Sequence, residues 1–470
     1  MNICIIGTGA SGWISCTTLK KLDFIKKITI IGSSKIPTIG VGEGTTIDFV
    51  SSVLSDVELK DFVKESDASA KYGVVYKNWS KRDFLHYFTD RIEEKWENIF
   101  GLGNKDSETY IHDLRRKKLW EFIQRNEVSL DNNVHSHSWH FDAGKFITFL
   151  KKINLQDDKV SCIDDTIIDC KFLDDKIEYI VGERNEKYIA DYFVNCCGDN
   201  DLNEKIFMEE YESLSSCLLT NKALFYPLQF TNKREQFHPY TAAKTMNCGW
   251  RWITPTQSRI GTGYVFSDNH ISVDEATNEL LTDIGDMTLQ PRLVDFSPRY
   301  NKKPFKTNSC TIGMSSGFLE PLDAPGLSLT NDAIRFLIEI LKVKSKNKDH
   351  SRIVKKSNNN FIFCQKEWCF FILQQYKTCW RNDTQFWIDH KNVECDIYDT
   401  MHDLLFKKFA FNKQFYHNIQ GLPINPPFPI ITTASKDVRW ESSIMEKPFP
   451  IEQPTTETIH HLDYIQRFYD

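Results

Sequence analysis

The chain has 470 residues and sets 58 Lys and Arg against 64 Asp and Glu, a formal net charge of −6, which rules against a protein that holds nucleic acid mainly through a basic surface. Aromatic residues make up 13% of it, with 33 Phe, 17 Tyr and 11 Trp, enough for a large apolar interior, a ring-binding pocket, or both. The absence of a long uncharged apolar run argues against a membrane span, and 13 scattered Cys with no CxxC pair fit free thiols in a reducing cytoplasm better than a disulfide framework.

The chain opens on Met1-Asn2-Ile3-Cys4 with no basic and then apolar leader, so no signal peptide is expected. Asn2 to Ile6 reads as a short apolar strand and Gly7 to Gly12 as a turn. Ala10 to Leu22 follows as a helix and Ile28 to Ile31 as a second buried strand, which completes a βαβ unit. Seven of the 21 Gly fall at 7, 9, 12, 32, 40, 42 and 44, the distribution of a Gly-turned nucleotide site. From about Thr45 to Leu130 the pattern predicts mainly charged helix with interleaved aromatics. Strands return at Thr166 to Phe172, Ile177 to Val181 and Tyr192 to Cys196, and they dominate from 219 to 266. Asn331 to Val343 predicts an amphipathic helix with Ile334, Phe336, Leu337, Ile340 and Leu341 on one side, and a further helix is expected over 355–380. Pro gathers after residue 422, at 423, 426, 427, 429, 448, 450 and 454, the mark of an extended tail. Interrupted βαβ elements with an inserted sheet predict an α/β chain in which one nucleotide-binding domain wraps around a second module.

Gly7-Thr8-Gly9-Ala10-Ser11-Gly12 follows a strand and opens a helix, the context a GxGxxG match requires. Gly7 permits the tight turn, Gly9 lets backbone approach a pyrophosphate, and Gly12 lets helix and strand pack closely. Ala10 and Ser11 begin the helix whose free N–H groups face the phosphates. The acidic residue that normally ends the second strand and holds the ribose hydroxyls is missing. That place reads Ile31-Gly32-Ser33-Ser34, so Ser33 or Ser34 would give a weaker hydrogen bond. Cys196-Cys197-Gly198-Asp199 resembles a second Gly turn near a dinucleotide, with the two Cys read as packing.

Further segments fall into order behind this one. Ile36-Pro37-Thr38-Ile39-Gly40-Val41-Gly42-Glu43 is a second glycine loop, and Lys71-Tyr72-Gly73-Val74-Val75-Tyr76-Lys77-Asn78-Trp79 comes next. His140-Phe141-Asp142-Ala143-Gly144 is followed by Gly249-Trp250-Arg251-Trp252-Ile253-Thr254-Pro255. Then come Phe318-Leu319-Glu320-Pro321-Leu322-Asp323-Ala324-Pro325-Gly326 and Arg381-Asn382-Asp383-Thr384-Gln385-Phe386-Trp387. Over about residues 1 to 390 this series resembles the flavin-dependent halogenases of the tryptophan-halogenase type. A lone GxGxxG is cheap, whereas seven landmarks in order are specific.

The resemblance implies an FAD-binding Rossmann-like fold of the flavin monooxygenase kind, with an inserted sheet and a mainly helical substrate module. The core would span 1–330, with a helical insertion over about 50–130, and the substrate module with its Pro-rich tail would span 331–470. It implies an FADH2-dependent oxidoreductase that uses reduced FAD from a separate reductase, O2 and a halide ion to form hypohalous acid and halogenate an electron-rich aromatic small molecule. The cofactor set it implies is Gly7, Gly9, Ala10, Ser11, Gly12, Ser33, Ile39, Gly40, Val41, Ile168, Met314 and Leu327. Lys71 takes the family's catalytic lysine position and would receive the oxidised halogen. Its compact ammonium carries rotatable donors, and burial favours the nucleophilic amine. Asp323 stands where the family has Glu and would orient the electrophile and accept the ring proton. Trp250 and Trp252 would shield the flavin side, although two Trp two apart also read simply as one face of a strand. Pro325 and Gly326 fall at the halide position. Ala324 and Pro325 replace the family's Ser and Thr, and Pro325 lacks the N–H that would donate to a halide. A site with fewer donors compensates chloride desolvation poorly, so bromide or iodide is the expected preference.

Other constellations carry less. His135, His137 and His140 form an HxHxxH run without a Cys or carboxylate at ligand spacing, so no metal is expected. His460-His461 is too short for a metal tract. No match to a free-tryptophan site is found in Phe411 to Gln420 or in the tail, so a phenol, indole or heteroaromatic is the broader substrate class. The rival functions are a flavin-dependent aromatic hydroxylase and a non-catalytic FAD-binding protein.

Overall fold

Asn2–Ile6 is apolar on both faces and is buried from Ile3 onward, as a strand covered on two sides must be. In the computed structural model, which describes residues 1–36, 42–45, 47–81, 83–87, 121–130, 137–403 and 457–469, it is the middle strand of a parallel sheet. Lys27–Gly32 and then Val160–Asp164 lie on one side of it, and Tyr192–Asn195 and then Ser309–Thr311 on the other. The first crossover is the helix Ala10–Leu19, which is buried almost all round. It lies against the helices Ala143–Asn154 and Pro325–Lys344. Its hydroxyls stay satisfied there because Ser15, Thr17 and Thr18 each donate to the carbonyl four residues back, at 2.7, 2.8 and 3.0 Å. The expected βαβ unit and α/β class are therefore present.

The second sheet runs in the order Arg292–Asp295, Lys222–Leu228, Ile260–Phe266, Gly249–Pro255, Thr241–Met246, Gly73–Lys77 and Phe84–Tyr87. Its pairings are antiparallel except that of Gly73–Lys77 with Thr241–Met246. This corrects the helical expectation for 45–130. Ile47–Val53 and Leu59–Glu65 are helices, but Ser69–Lys71, Gly73–Lys77 and Phe84–Tyr87 are strands. The reason is local as well as tertiary. Tyr72, Val74, Val75 and Tyr76 are aromatic or β-branched and buried, which suits a pleated surface, and the neighbouring sheet offers them an open edge. Lys71 consequently sits on a strand that pairs with Ser138–Asp142, which also carries Gly42–Gly44 on its other side.

The helix expected from Asn331 starts earlier, at Pro325, where a proline fits because the first helical N–H has no intrahelical partner. It runs across residue 330, and Ile334, Leu337 and Leu341 share one apolar cluster with Ile3 and Trp13. Ser351–Thr378 packs beside it. Thr458–His460 returns to pair antiparallel with Glu127–Ser129 and leads into the short helix His461–Gln466. Phe411 to Gln420, the Pro run, His135 and residues 88–120 of the expected insertion lie outside the described residues. No described helix is long and apolar enough to cross a membrane.

The free-thiol expectation needs one correction. Cys217 and Cys395, 178 residues apart, form a disulfide with Cα atoms 5.5 Å apart, and the other 11 Cys are free. Spacing along the chain gives no hint of it, because folding alone brings the two segments together.

Phe62 ties the helix Leu59–Glu65 to the layer behind the lysine strand, with its ring edge-on to Trp139, Phe141 and Phe146 at 5.9, 6.1 and 5.9 Å. Phe62→Ala is expected to lower unfolding stability by about 3–5 kcal/mol, measurable as a fall in the urea midpoint with the slope unchanged.

Candidate functional site

At the dinucleotide turn two glycines are forced by packing and one faces open space. Gly7 has φ +112°, and a Cβ there would meet the Cys196 carbonyl oxygen at 2.2 Å. At Gly12 a Cβ would meet the Gly7 oxygen at 2.0 Å. Nothing lies within 4 Å of the place a Cβ would take at Gly9. Gly9 caps the helix Ala10–Leu19 without any side-chain hydrogen bond, so the first N–H groups point at an open approach. That donor set fits a pyrophosphate, and the residues present fit a dinucleotide. Ser11 lies against Gly313, whose own Cβ would meet the Ser11 oxygen at 2.0 Å, so Met314 stands beside the turn. Ser33 accepts from the Thr166 hydroxyl at 2.8 Å, two residues before the exposed Ile168. Leu327 is buried in the first turn of the helix Pro325–Lys344. Ile39, Gly40 and Val41 lie outside the described residues. Asp199 is engaged by Arg299 in an ion pair, and Cys196 and Cys197 are held as thiols by burial, up to about 12 for Cys197.

Trp250 and Trp252 alternate with Arg251 along Gly249–Pro255, so the two indoles share a face, with ring centroids 6.4 Å apart. Arg251 turns to the other face and pairs with Asp283 at 2.7 Å. Trp250 is buried, and its indole N–H donates to Glu320 Oε1 at 3.1 Å. Glu320 also accepts from the Tyr376 hydroxyl at 2.9 and 3.1 Å and from Thr220. Glu320 was not among the expected site residues, because its partners Thr220, Trp250 and Tyr376 come from three distant segments. Burial pushes the Glu320 carboxyl up to about 7, and the donors Thr220, Tyr376 and Trp250 pull the other way. Burial wins, as it must for a charge set among Trp and Phe.

Three residues on, Asp323 and Ala324 take consecutive left-handed conformations, φ +64° and +61°, at a cost of about 1–3 kcal/mol each for non-glycine residues. The turn aims the buried Asp323 carboxylate at two groups. Tyr76 donates its hydroxyl to one oxygen, and His86 Nδ1 meets the other at 2.9 Å. Tyr76 stacks on Phe84 with centroids 4.8 Å apart. Burial and then Asp323 hold its hydroxyl well above the usual phenol range, so it stays a donor. Neither Tyr76 nor His86 was expected at the site. Tyr76 follows Lys71 by five residues, and only its position on the strand Gly73–Lys77 shows which way it faces.

Lys71 is 1% exposed. Its carbonyl accepts from Ser138 Oγ at 2.8 Å, and its Nζ lies 2.7 Å from where a Cβ on Gly44 would be. Glycine there makes room for the ammonium. Burial and then Lys71 hold His140 well below the ordinary imidazole range, so His140 is neutral. His140 Nε2 meets Thr241 at 2.8 Å and His137 Nε2 meets Tyr464 at 3.0 Å. No cluster of metal-ligating side chains is found among the described residues. Ala324 caps the helix Pro325–Lys344 without a side-chain bond. Gly326 has open space where a Cβ would be.

Residues 2–433 match the family model described as tryptophan halogenase. Tryptophan 6-halogenase ThaL of Streptomyces albogriseolus is 26% identical over 458 residues, 91% of this chain and 83% of that protein. Among solved structures, a tryptophan halogenase from Shewanella frigidimarina superposes with a TM-score of 0.77 at 22% identity, covering 100% of this chain and 93% of its own. The halogenase Xcc4156 from Xanthomonas campestris gives 0.77 at 21%, covering 99% and 98%. At these identities the structural likeness speaks for the fold.

Glu320 also makes stability depend on pH. Its folded-state value near 7 lies above the ordinary 4.5, so the folded protein binds the extra proton between those values. Stability contributed by that proton is full below about 4.5 and is lost as pH rises through about 7. Glu320→Gln is expected to flatten that decline, as read from denaturant midpoints across the range.

Proposed function

The chain belongs to the tryptophan halogenase family, and from that premise we propose that it joins a halogen to an electron-rich aromatic small molecule, with Lys71 and Asp323 as the working residues. The observation that carries this reading is a lysine buried on the strand Ser69–Lys71 whose continuation, through Tyr76, grips the Asp323 carboxylate. A buried ammonium beside a glycine has no surface role, and a strained carboxylate turn needs a use.

Reduced FAD, when bound, supplies the electrons with which O2 becomes able to oxidise a halide ion. Gly7, Gly9, Ala10, Ser11 and Gly12 would hold its pyrophosphate, with Ser33, Ile168, Met314 and Leu327 along its length. The side chains do the rest. Trp250, fixed by Glu320, forms with Trp252 a rigid aromatic wall that keeps an arene away from the oxidant. Lys71 receives hypohalous acid by hydrogen bonding or as a haloamine and presents the halogen to the ring. Asp323, with each oxygen oriented by Tyr76 or His86, takes the proton the ring gives up. A separate flavin reductase is the source of reduced cofactor. A phenol, indole or heteroaromatic is the substrate class.

The helix start at Ala324-Pro325-Gly326 supports a preference for the larger halides. Pro325 has no N–H and Ala324 no side-chain donor, so Gly326 is the first backbone donor available. Bromide and iodide lose less than chloride on leaving water.

Two experiments test this. Mass spectrometry of a panel of arenes, run with a separate reductase and equal chloride, bromide and iodide, is expected to give brominated or iodinated product. A dominant chlorinated product would overturn the halide preference, and a hydroxylated product independent of halide would overturn halogenation. Lys71→Ala is expected to abolish product with flavin binding retained, and Asp323→Asn to slow turnover by about 10²–10⁴-fold.

A further inference from the structure

The strand that carries Lys71 is short, and its backbone is held from outside. Ser138 Oγ donates to the Lys71 carbonyl at 2.8 Å, and the Tyr72 N–H donates to the Pro239 carbonyl at 2.9 Å. The Ala70 N–H donates to His461 Nε2 at 3.0 Å. His461 comes from the far end of the chain, 391 residues on. Because Nε2 accepts, the ring proton is on Nδ1, and it donates to the Phe237 carbonyl at 3.0 Å. The imidazole is fully buried and lies flat on Phe237, with centroids 4.1 Å apart and planes 5° apart. Burial holds it neutral, down to about 3, so it keeps both roles across the ordinary pH range.

The rest of the terminal segment fastens this ring in place. Leu130 N–H donates to the Glu457 carbonyl at 3.0 Å and His461 N–H to the Asn126 carbonyl at 2.7 Å, at the two ends of the strand pairing. Tyr464 donates to His137 Nε2 at 3.0 Å, since His137 Nδ1 gives its proton to the Ser138 carbonyl at 2.9 Å. Phe468 meets Trp139 edge-on at 6.1 Å. Tyr469 donates to Gln257 Oε1 at 2.7 Å, and the Gln257 amide donates to the Ala68 carbonyl at 2.7 Å. The terminal segment therefore reaches the lysine strand directly at Ala70 and, through Gln257, the Ala68 carbonyl just before it.

We infer that residues 457–469 form a strap that sets the position of the Lys71 strand, with His461 as the positioning residue, so that the far end of the chain completes the halogenating site. This rests on the reading of Lys71 given above. A displacement of about 1 Å at a reacting group costs up to about 10²-fold in rate, and the Ala70 hydrogen bond lies one residue from Lys71.

The test compares the full chain with His461→Ala and His461→Gln. Glutamine offers an oxygen to Ala70 and an N–H to Phe237. Hydrogen exchange of the peptide over 68–73 reads the strap, and turnover, KM for the arene and flavin affinity read the site. In His461→Ala the Ala70 amide is expected to exchange at least about tenfold faster, and kcat to fall about 10- to 100-fold. KM and flavin affinity should stay within about twofold, and His461→Gln should restore protection and rate together. An Ala70 amide that stays protected in His461→Ala overturns the inference, as does a freed amide with kcat unchanged, or flavin affinity lost in step with kcat. If His461→Ala does not fold, His461→Gln and a full chain with Tyr469→Phe decide, and unchanged exchange at Ala70 in Tyr469→Phe together with a reduced kcat in His461→Gln overturns it. No halogenated product from the wild-type chain would instead overturn the reading of Lys71, and the exchange result would still decide the strap.

Discussion

Two carboxylates three residues apart, Glu320 and Asp323, have to be kept inside an aromatic core, and the surroundings of the site are organised by that demand. A buried carboxylate without donors is far too costly to persist. Glu320 is met by Thr220, Trp250 and Tyr376 and Asp323 by Tyr76 and His86. These five partners come from the large sheet, from the residue leading into it and from the long helix Ser351–Thr378. Satisfying two side chains thus locks distant strands of the large sheet and the long helix into one arrangement. Trp250 and the Asp323 carboxylate are tied to the same short turn, so their relative position is a property of the turn rather than of two separate loops.

The cofactor end obeys a different constraint. There backbone N–H groups rather than side chains face the open approach, and what matters is the space around them. Gly7 must be glycine because its φ and the Cys196 carbonyl leave no room for a Cβ. Gly9 has room on its open side, and that room is what a phosphate would use. The lysine side uses the same device in reverse, since Gly44 is bare so that the Lys71 ammonium can lie against it. Both are cases of a missing side chain making a place for something else.

Much of this could be read along the chain. The βαβ start, the helix over 331–343, the strands after 219 and the order of the seven segments are local patterns of period and turn chemistry, and such patterns survive into the fold. The region from 69 to 87 departs from the helical expectation, because the short strand-favouring run Tyr72 to Tyr76 sits inside a long charged stretch. Pairing with Thr241–Met246 and with Ser138–Asp142, both distant in the chain, completes them as strands. The same holds for His86, Tyr76, Glu320 and the Cys217–Cys395 pair, whose partners lie tens to hundreds of residues away. Single-chain spacing carries no information about such meetings.

Residue type alone dictates the glycine turn, a lysine and an aspartate at the places where the family resemblance points, and the missing N–H at Pro325, since each follows from what a residue can or cannot do at one place. Tertiary structure alone decided which groups hold those residues in position. The terminal His461, isolated in the sequence as half of an uninformative His pair, accepts the Ala70 N–H 391 positions away. The physical reason is that hydrogen-bond satisfaction in a buried layer is settled by whichever segments the fold brings there, and distance along the chain has no part in it.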